Sequence, residues 1–296
     1  MPPKRSATPI RLVRAVSQHR DVIVVTSQLL QAHCTLVRGP SAQDATGEPL
    51  AGEASLAQAP AGEAFAIDSP VLPEELELLP ALVQQAGFPE PQGLLATHAD
   101  FDHVLAPLAF PRAALGCAES TAERLRAEPG APQRALRRFD EELMIERPRP
   151  LSLASIQALA VPGLCAVGAG ELELHPATGH TVDGMAIWIP WARVLVAGDH
   201  LSSIELPGIG AGPAMLDAYL VTLERLRPIV AAAEHVVPGH GPVLDREAAI
   251  GVLDEDVAYL QTLRERGAAA ELPHRRRSKV QRELHETNVA RLRAAG

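Results

Sequence analysis

The sequence predicts a layered α/β sandwich, and three observations carry that expectation. Short apolar or β-branched runs, closed by polar or Gly/Pro breaks, alternate with stretches of helical period. Their gross order is strands, helices, strands, helix, strand, helices, which suits helices packed on sheets. Four short polar motifs also stand at the ends of apolar runs: Thr97-His98-Ala99-Asp100-Phe101-Asp102-His103, Thr178-Gly179-His180-Thr181, Ala197-Gly198-Asp199 and Pro238-Gly239-His240-Gly241.

Residues 12–16, 21–26 and 33–37 read as strands. Residues 39–63, rich in Ala, Gly, Glu and Gln and lacking apolar periodicity, read as an exposed loop or insertion. A strand over 64–68 ends in Asp68-Ser69-Pro70. Residues 73–86 read as a helix, with Glu74 and Glu75 favourable in its first turn and Gly87 as its stop. Pro80 within it predicts a kink or two short helices. A strand over 93–97 delivers the chain into the first motif. Helices over 119–127 and 133–146 precede strands over 157–161, 171–175, 185–189 and 193–197. Leu216, Tyr219, Leu220, Leu223 and Leu226 make one apolar face of a helix over 213–227, opened by Pro213 and followed by Pro228. A strand over 234–237 runs into the last motif, and helices over 246–266 and 278–293 finish the chain.

Of the 296 residues, 47% are apolar and only 3% aromatic, so a sizeable core is built from Ala, Leu, Val and Ile. The formal net charge of −9 argues against nucleic acid as the partner, because backbone binding needs clustered Lys and Arg. Arg275-Arg276-Arg277 with Lys279 reads accordingly as a solvated helix start. Cys34, Cys117 and Cys165 show no C-x-x-C spacing and read as reduced core residues. The basic first residues lack the apolar stretch of a signal peptide, and no run approaches the ~18 apolar residues of a membrane span. The expectation is a soluble cytoplasmic protein with a small-molecule substrate and no membrane partner, of open oligomeric state. A Gly-rich phosphate loop and a Gly-x-Ser-x-Gly elbow are both missing, which argues against a nucleotide-triphosphate enzyme and a serine hydrolase.

The motifs supply four histidines and three aspartates, enough for two divalent cations. His98, Asp100, Asp102 and His103 crowd one short loop, where they would be costly in an ordinary core unless paired or metal-bound. Singly, the other three motifs read as tight turns or a helix cap. Together they present an imidazole or carboxylate directly after glycine at a strand end, where the backbone can turn sharply toward a common centre.

Order and context resemble the metallo-β-lactamase superfamily, over roughly residues 12–245. Its motif of His-x-His-x-Asp-His, then His, a bridging Asp and a final His, is matched at six of seven positions. The resemblance implies a four-layer αββα sandwich over residues 1–250, with a C-terminal helical extension over 251–296 packed on it. It implies that His98, Asp100 and His180 hold a first metal, that Asp102, His103 and His240 hold a second, and that Asp199 bridges them. A shared hydroxide would be the nucleophile, since metal coordination lowers the pKa of water to about 7. Asp102 and Asp199 would be the catalytic carboxylates, with Asp102 carrying a proton toward the leaving group.

Asp100 stands where the family usually has His. Carboxylate is the harder ligand and shifts preference from zinc toward manganese or iron. Two divalent cations, three carboxylates and a hydroxide then sum to no net charge, which favours a neutral ester, lactone or thioester over a phosphodiester. Two other readings share the scaffold: an iron-dependent oxidoreductase, and a non-catalytic metal-binding protein in which Asp100 has detuned the site. Around the motifs, Asp68 is expected to hydrogen-bond a ligand histidine. His200 and Ser202 are expected to contact substrate or to support the ligands. His175 and His235 read as structural, and His19, His33, His274 and His285 as background.

Overall fold

The computed structural model describes residues 14–40, 62–153 and 155–294. Residues 12 and 13 of the first expected strand, and 41–61 of the expected loop, lie outside the described residues.

Strands β1 (Arg14–His19), β2 (Val22–Thr26), β3 (His33–Arg38), β4 (Ala64–Asp68), β5 (Gly93–Ala96), β6 (Ala114–Ala118) and β7 (Ile156–Leu159) lie side by side in chain order in one sheet. Pairing is antiparallel as far as β4 and parallel from β4 to β7. Helix α1 (Pro73–Gln85) connects β4 to β5, while α2 (Glu119–Ala127) and α3 (Ala131–Leu143) connect β6 to β7. The second sheet comprises β8 (Gly163–Val167), β9 (Gly170–Pro176), β10 (Met185–Ile189), β11 (Val194–Gly198), β12 (His235–Pro238) and β13 (Leu244–Asp245), again in chain order. Its neighbours run antiparallel except β11 and β12, which are joined through α4 (Pro213–Ala232). Helices α5 (Arg246–Arg266) and α6 (Lys279–Arg293) follow.

Three apolar layers hold these elements in the expected αββα order. Between the sheets, Val24, Ile67 and Leu95 meet Leu172, Ile187 and Val196. Outside the first sheet, Leu94 and Cys117 pack on Leu79 and Val83 of α1 and Leu136 of α3. Outside the second, Leu195 and Ala197 pack on Leu216, Tyr219 and Leu223 of α4, Leu260 of α5 and Val289 of α6. The central strands are apolar at consecutive positions because both faces are buried: Leu94 and Leu95 point to different layers, as do Leu195 and Val196. Among the described residues, no helix is long and apolar enough to cross a membrane.

The structure corrects the sequence reading at several points. β6 was not expected, because Ala-Leu-Gly-Cys-Ala carries no β-branched residue; pairing on both edges and burial on both faces make it a strand. β8 is an unexpected edge strand, paired with β9 through a tight turn at Gly168. Neither proline divides its helix. Pro80 and Pro228 both lie on exposed faces, where water can satisfy the carbonyl that each proline leaves free, while Val83 and Val230 beyond them still pack in the core. α4 therefore runs on to Ala232. His285, read as background, is buried with Nδ1 3.0 Å from the Tyr259 hydroxyl, joining α6 to α5.

Candidate metal centre

The four motifs meet at one edge of the seam between the sheets. His98, Asp100, Asp102 and His103 follow β5 of the first sheet, the last two in a short 3-10 turn over Phe101–His103. His180, Asp199 and His240 follow β9, β11 and β12 of the second. The Asp199 carboxylate lies between two groups. Its Oδ2 is 3.3 Å from Nε2 of His180 and 3.8 Å from Nε2 of His98. Its Oδ1 is 3.1 Å from Nε2 of His103 and 3.3 Å from Nε2 of His240. Asp102 Oδ2 lies 3.3 Å from Nε2 of His240 and 3.8 Å from Nε2 of His103. Asp100 Oδ2 stands 3.7 Å from Nε2 of both His98 and His180. Two groups, His98 with His180 and Asp199, and Asp102 with His103 and His240, each bring three donor atoms close enough to share one ion.

The surroundings turn the Nε2 atoms inward. Nδ1 of His103 lies 3.0 Å from Asp68 Oδ2, Nδ1 of His180 2.9 Å from the Gly208 carbonyl, and Nδ1 of His240 3.1 Å from the Leu30 carbonyl. Carboxylates and carbonyls only accept, so these Nδ1 atoms carry a hydrogen, which leaves Nε2 as the ring atom free to bind a cation. Nδ1 of His98 lies 3.2 Å from Thr97 Oγ1, whose own hydrogen goes to Asp68. The Nε2 atoms of His98 and His103 and Oδ1 of Asp199 are buried and make no hydrogen bond. Buried polar atoms left without partners are costly alone and are satisfied by a shared cation. The donor set therefore fits divalent metal.

Asp68 supports the first motif as expected. Glycine is required at Gly239, where a Cβ would collide with the Asp199 carboxylate, and at Gly179, at φ +117° against the Tyr219 backbone.

His200 and Ser202 support the site from behind. His200 is buried, its ring 4.5 Å from that of Tyr219, whose hydroxyl donates to the Asp199 carbonyl at 3.0 Å. Burial pushes the His200 imidazole down to about 3. The Ser202 hydroxyl donates to the His240 carbonyl at 2.9 Å and accepts from the N–H groups of Ile204 and Glu205. Arg276 overturns the reading of the basic run as solvated: it is buried and binds Asp256 at 2.5 Å, Glu255 at 3.1 Å and the carbonyls of Ser202 and Glu205.

Three supporting residues escape the sequence reading. His33 is buried, with Nε2 2.6 Å from the Gly241 carbonyl. Arg124 of α2 reaches Asp100 Oδ1 through Nη2 and Asp183 Oδ1 through Nη1, both at 2.8 Å. Asp183 is wholly buried and accepts the Ala99 N–H at 3.0 Å. Asp183 lies near His180 in sequence and stands before a glycine, which is a weak signal; Arg124 carries none.

The electrostatics of the cluster call for positive charge. Burial alone would lower the His240 imidazole, but Asp199 and Asp102 raise it to about 9. Burial likewise opposes the ionised His103, and Asp199, Asp68 and Asp102 overcome it. Burial disfavours the Asp100 carboxylate, yet His180 and His98 hold it well below the ordinary range. Protons thus occupy His103 and His240 where a cation would otherwise sit, and metal binding would displace them.

A family model described as the metallo-beta-lactamase superfamily matches residues 74–240, which contain all seven clustered residues. The chain belongs to the metallo-beta-lactamase superfamily. A metallo-beta-lactamase type 2 of Bacillus sp. (strain 170) is 30% identical over 81 residues, which is 27% of this chain and 32% of that protein. A beta-lactamase-like protein 2 homolog of Caenorhabditis elegans is 31% identical over 84 residues, or 27% and 25%. The chain thus matches a third or less of the length of these curated relatives. Among solved structures, a metallo-beta-lactamase from Pontibacter korlensis superposes with a TM-score of 0.55 at 20% identity, over 84% of this chain and 99% of that one. A sec-alkylsulfatase from Pseudomonas sp. does so with 0.65 at 14% identity, over 94% and 49%. At such identities the likeness is one of fold.

Proposed function

We propose that this superfamily member is a hydrolase that works with two divalent cations on a small neutral ester, lactone or thioester. The observation that carries the reading is the convergence of buried, unpartnered Nε2 and carboxylate atoms on two points bridged by Asp199. His98, His180, Asp199 and Oδ2 of Asp100 form one metal position; Asp102, His103, His240 and Asp199 form the other. Two cations there, zinc or the manganese or iron that Asp100 favours, would supply a hydroxide at neutral pH and polarise the scissile carbonyl.

The chain's own residues bind and orient. Beside Asp100 and Asp102 opens a cleft of about 310 Å³ between the 99–102 loop and the α2–α3 hairpin. That is the small end of ligand pockets. Ala99, Phe101, Leu125, Pro132 and Ala135 give it an apolar wall, and its charged lining residues Arg124, Glu128 and Arg138 stand beside the acidic Asp100 and Asp102. An uncharged acyl group suits that lining better than a phosphodiester. Asp102, which lines the cleft, would pass a proton to the leaving group. The Arg124–Asp183 pair adds no net charge, so the neutral sum over the metal centre stands.

Metal analysis and turnover of a substrate panel test the reading. The expected result is two metal ions per chain and hydrolysis of a small carboxylic ester, lactone or thioester, with Asp199→Ala reduced to the background rate. Fully metallated protein that hydrolyses no ester, lactone, thioester, β-lactam or phosphodiester would refute the hydrolase reading. A preference for phosphodiesters over matched carboxylic esters would refute the substrate class.

A further inference from the structure

Asp100 differs from the other clustered residues in having one oxygen already engaged. Arg124 Nη2 holds Oδ1 at 2.8 Å, and only Oδ2 faces His98 and His180. Resting on the metal-centre reading above, we propose that Arg124 is a positioning residue that fixes Asp100 as a one-oxygen donor and so keeps the first metal position selective for zinc over manganese.

A free carboxylate at this place would be adaptable. The Asp100 side chain is 34% exposed, enough to rotate and offer both oxygens to one ion. Two-oxygen binding suits ions that take six or more oxygen ligands, whereas zinc favours four donors with imidazole among them. The guanidinium removes that freedom. Its fork spans Asp100 and Asp183, and Asp183 in turn holds the N–H of Ala99, the residue between His98 and Asp100. Backbone and carboxylate of the ligand loop are thus tied to one anchor, which is itself set by a helix and a wholly buried aspartate. Lysine keeps the charge but lacks the planar fork needed to hold both partners. The Arg124 charge also draws on the Asp100 carboxylate and makes its remaining oxygen a weaker hard donor. The manganese or iron preference expected from the carboxylate is thereby offset.

The experiment is chelator-competition measurement of zinc and manganese affinity for the wild type, Arg124→Ala and Arg124→Lys, repeated in an Asp100→His background. In Arg124→Ala, zinc affinity at one of the two positions is expected to fall about 10–100-fold, as for other residues that orient ligands. The zinc-to-manganese affinity ratio should fall about tenfold or more, because freed carboxylate suits manganese. Arg124→Lys should follow in the same direction and covers the case that the alanine variant does not fold. With Asp100→His the carboxylate is gone, and Arg124→Ala should leave the zinc-to-manganese ratio unchanged, because any loss through the Asp183 anchor falls on both metals alike. An unchanged ratio in both variants, or an equal fall of the ratio in the Asp100→His background, overturns the proposal and leaves Arg124 a structural residue. A wild type that takes up no metal overturns the metal-centre reading with it, whereas metal uptake with an unchanged ratio overturns this inference alone.

Discussion

A single buried imidazole shows how the metal loop depends on residues distant in sequence. Nδ1 of His33 lies 3.2 Å from the Thr26 hydroxyl, and Nε2 lies 2.6 Å from the Gly241 carbonyl next to His240. The carbonyl can only accept, so Nε2 carries the hydrogen and Nδ1 accepts from Thr26. This is the neutral tautomer. Burial pushes His33 down to about 4 from its ordinary 6.5; the Gly241 carbonyl opposes that shift, and His240 adds to it. Because the folded value lies below the unfolded one, the neutral form is the one the fold favours. Its contribution is complete above about pH 6.5 and is lost as pH falls through 4. The full difference corresponds to at most about 3 kcal/mol. Urea unfolding of metal-free protein at pH 7 and pH 4.5 checks this, with His33→Gln expected to lose less stability on acidification than the wild type. Equal losses would show that His33 is not the group being protonated.

At the scale of elements, α5 and α6 hold the loop that supplies His180 with its Gly208 partner. Arg276 binds the Ser202 and Glu205 carbonyls, Gln281 accepts the Leu206 N–H at 2.6 Å, and Asn288 accepts the Ile209 N–H at 3.0 Å. Arg276 and Asp256 form a buried ion pair, and burial pushes the Asp256 carboxyl up to about 7 even against the pull of Arg276. Removing one member of such a pair costs about 3–5 kcal/mol, because the other charge is stranded. Arg276→Met is therefore expected to lose about that much at pH 8, and less at pH 6, where Asp256 can take up a proton. Urea titrations at the two pH values measure it. Adding Asp256→Leu should recover much of the loss, and no recovery would mean that the backbone contacts, not the ion pair, carry the stability. The sequence showed the helices themselves, because Leu253, Leu260 and Leu263 keep a helical period. It showed the seven clustered residues, because glycines and strand ends flag them locally. Arg276, Arg124 and His33 were illegible for one physical reason. The partners that tie them to the site lie 20 to 208 positions away, and a charged or polar residue at long range looks like a surface residue until the chain is folded. Arg276 was even misread, since a run of three arginines does not reveal that the middle one turns inward.

For the whole molecule, the decisive fact is that the two donor groups do not belong to one sheet each. Asp68, His98, Asp100, Asp102 and His103 come from the first sheet, while His180, Asp199 and His240 come from the second. Each group draws donors from both, and the Asp199 carboxylate lies between them. Besides the apolar layer between the sheets, this seam is crossed by the clamp of the 30–33 turn on His240 and Gly241, by the backbone bridge from Ala32 to His240, by the Met185 N–H to the Thr97 carbonyl, and by Asp183 with Ala99 and Arg124. Bound cations would therefore act as a staple between the two halves of the sandwich, and their binding free energy would appear as global stability. A ligand that binds only the folded state at 100 times its dissociation constant adds about 2.7 kcal/mol. For a chain of this size each kcal/mol moves the midpoint by roughly 2–4 °C, so one such ion is expected to raise it by about 5–10 °C. Thermal unfolding of chelator-treated protein, before and after zinc is restored, measures the shift. The staple makes a sharper demand than the size of the shift: loss of a donor from either sheet, His103→Ala from the first or His240→Ala from the second, should reduce it alike. If one of these variants keeps the full zinc-induced shift, the ions are held by one sheet alone and the two halves are joined by the apolar layer without them.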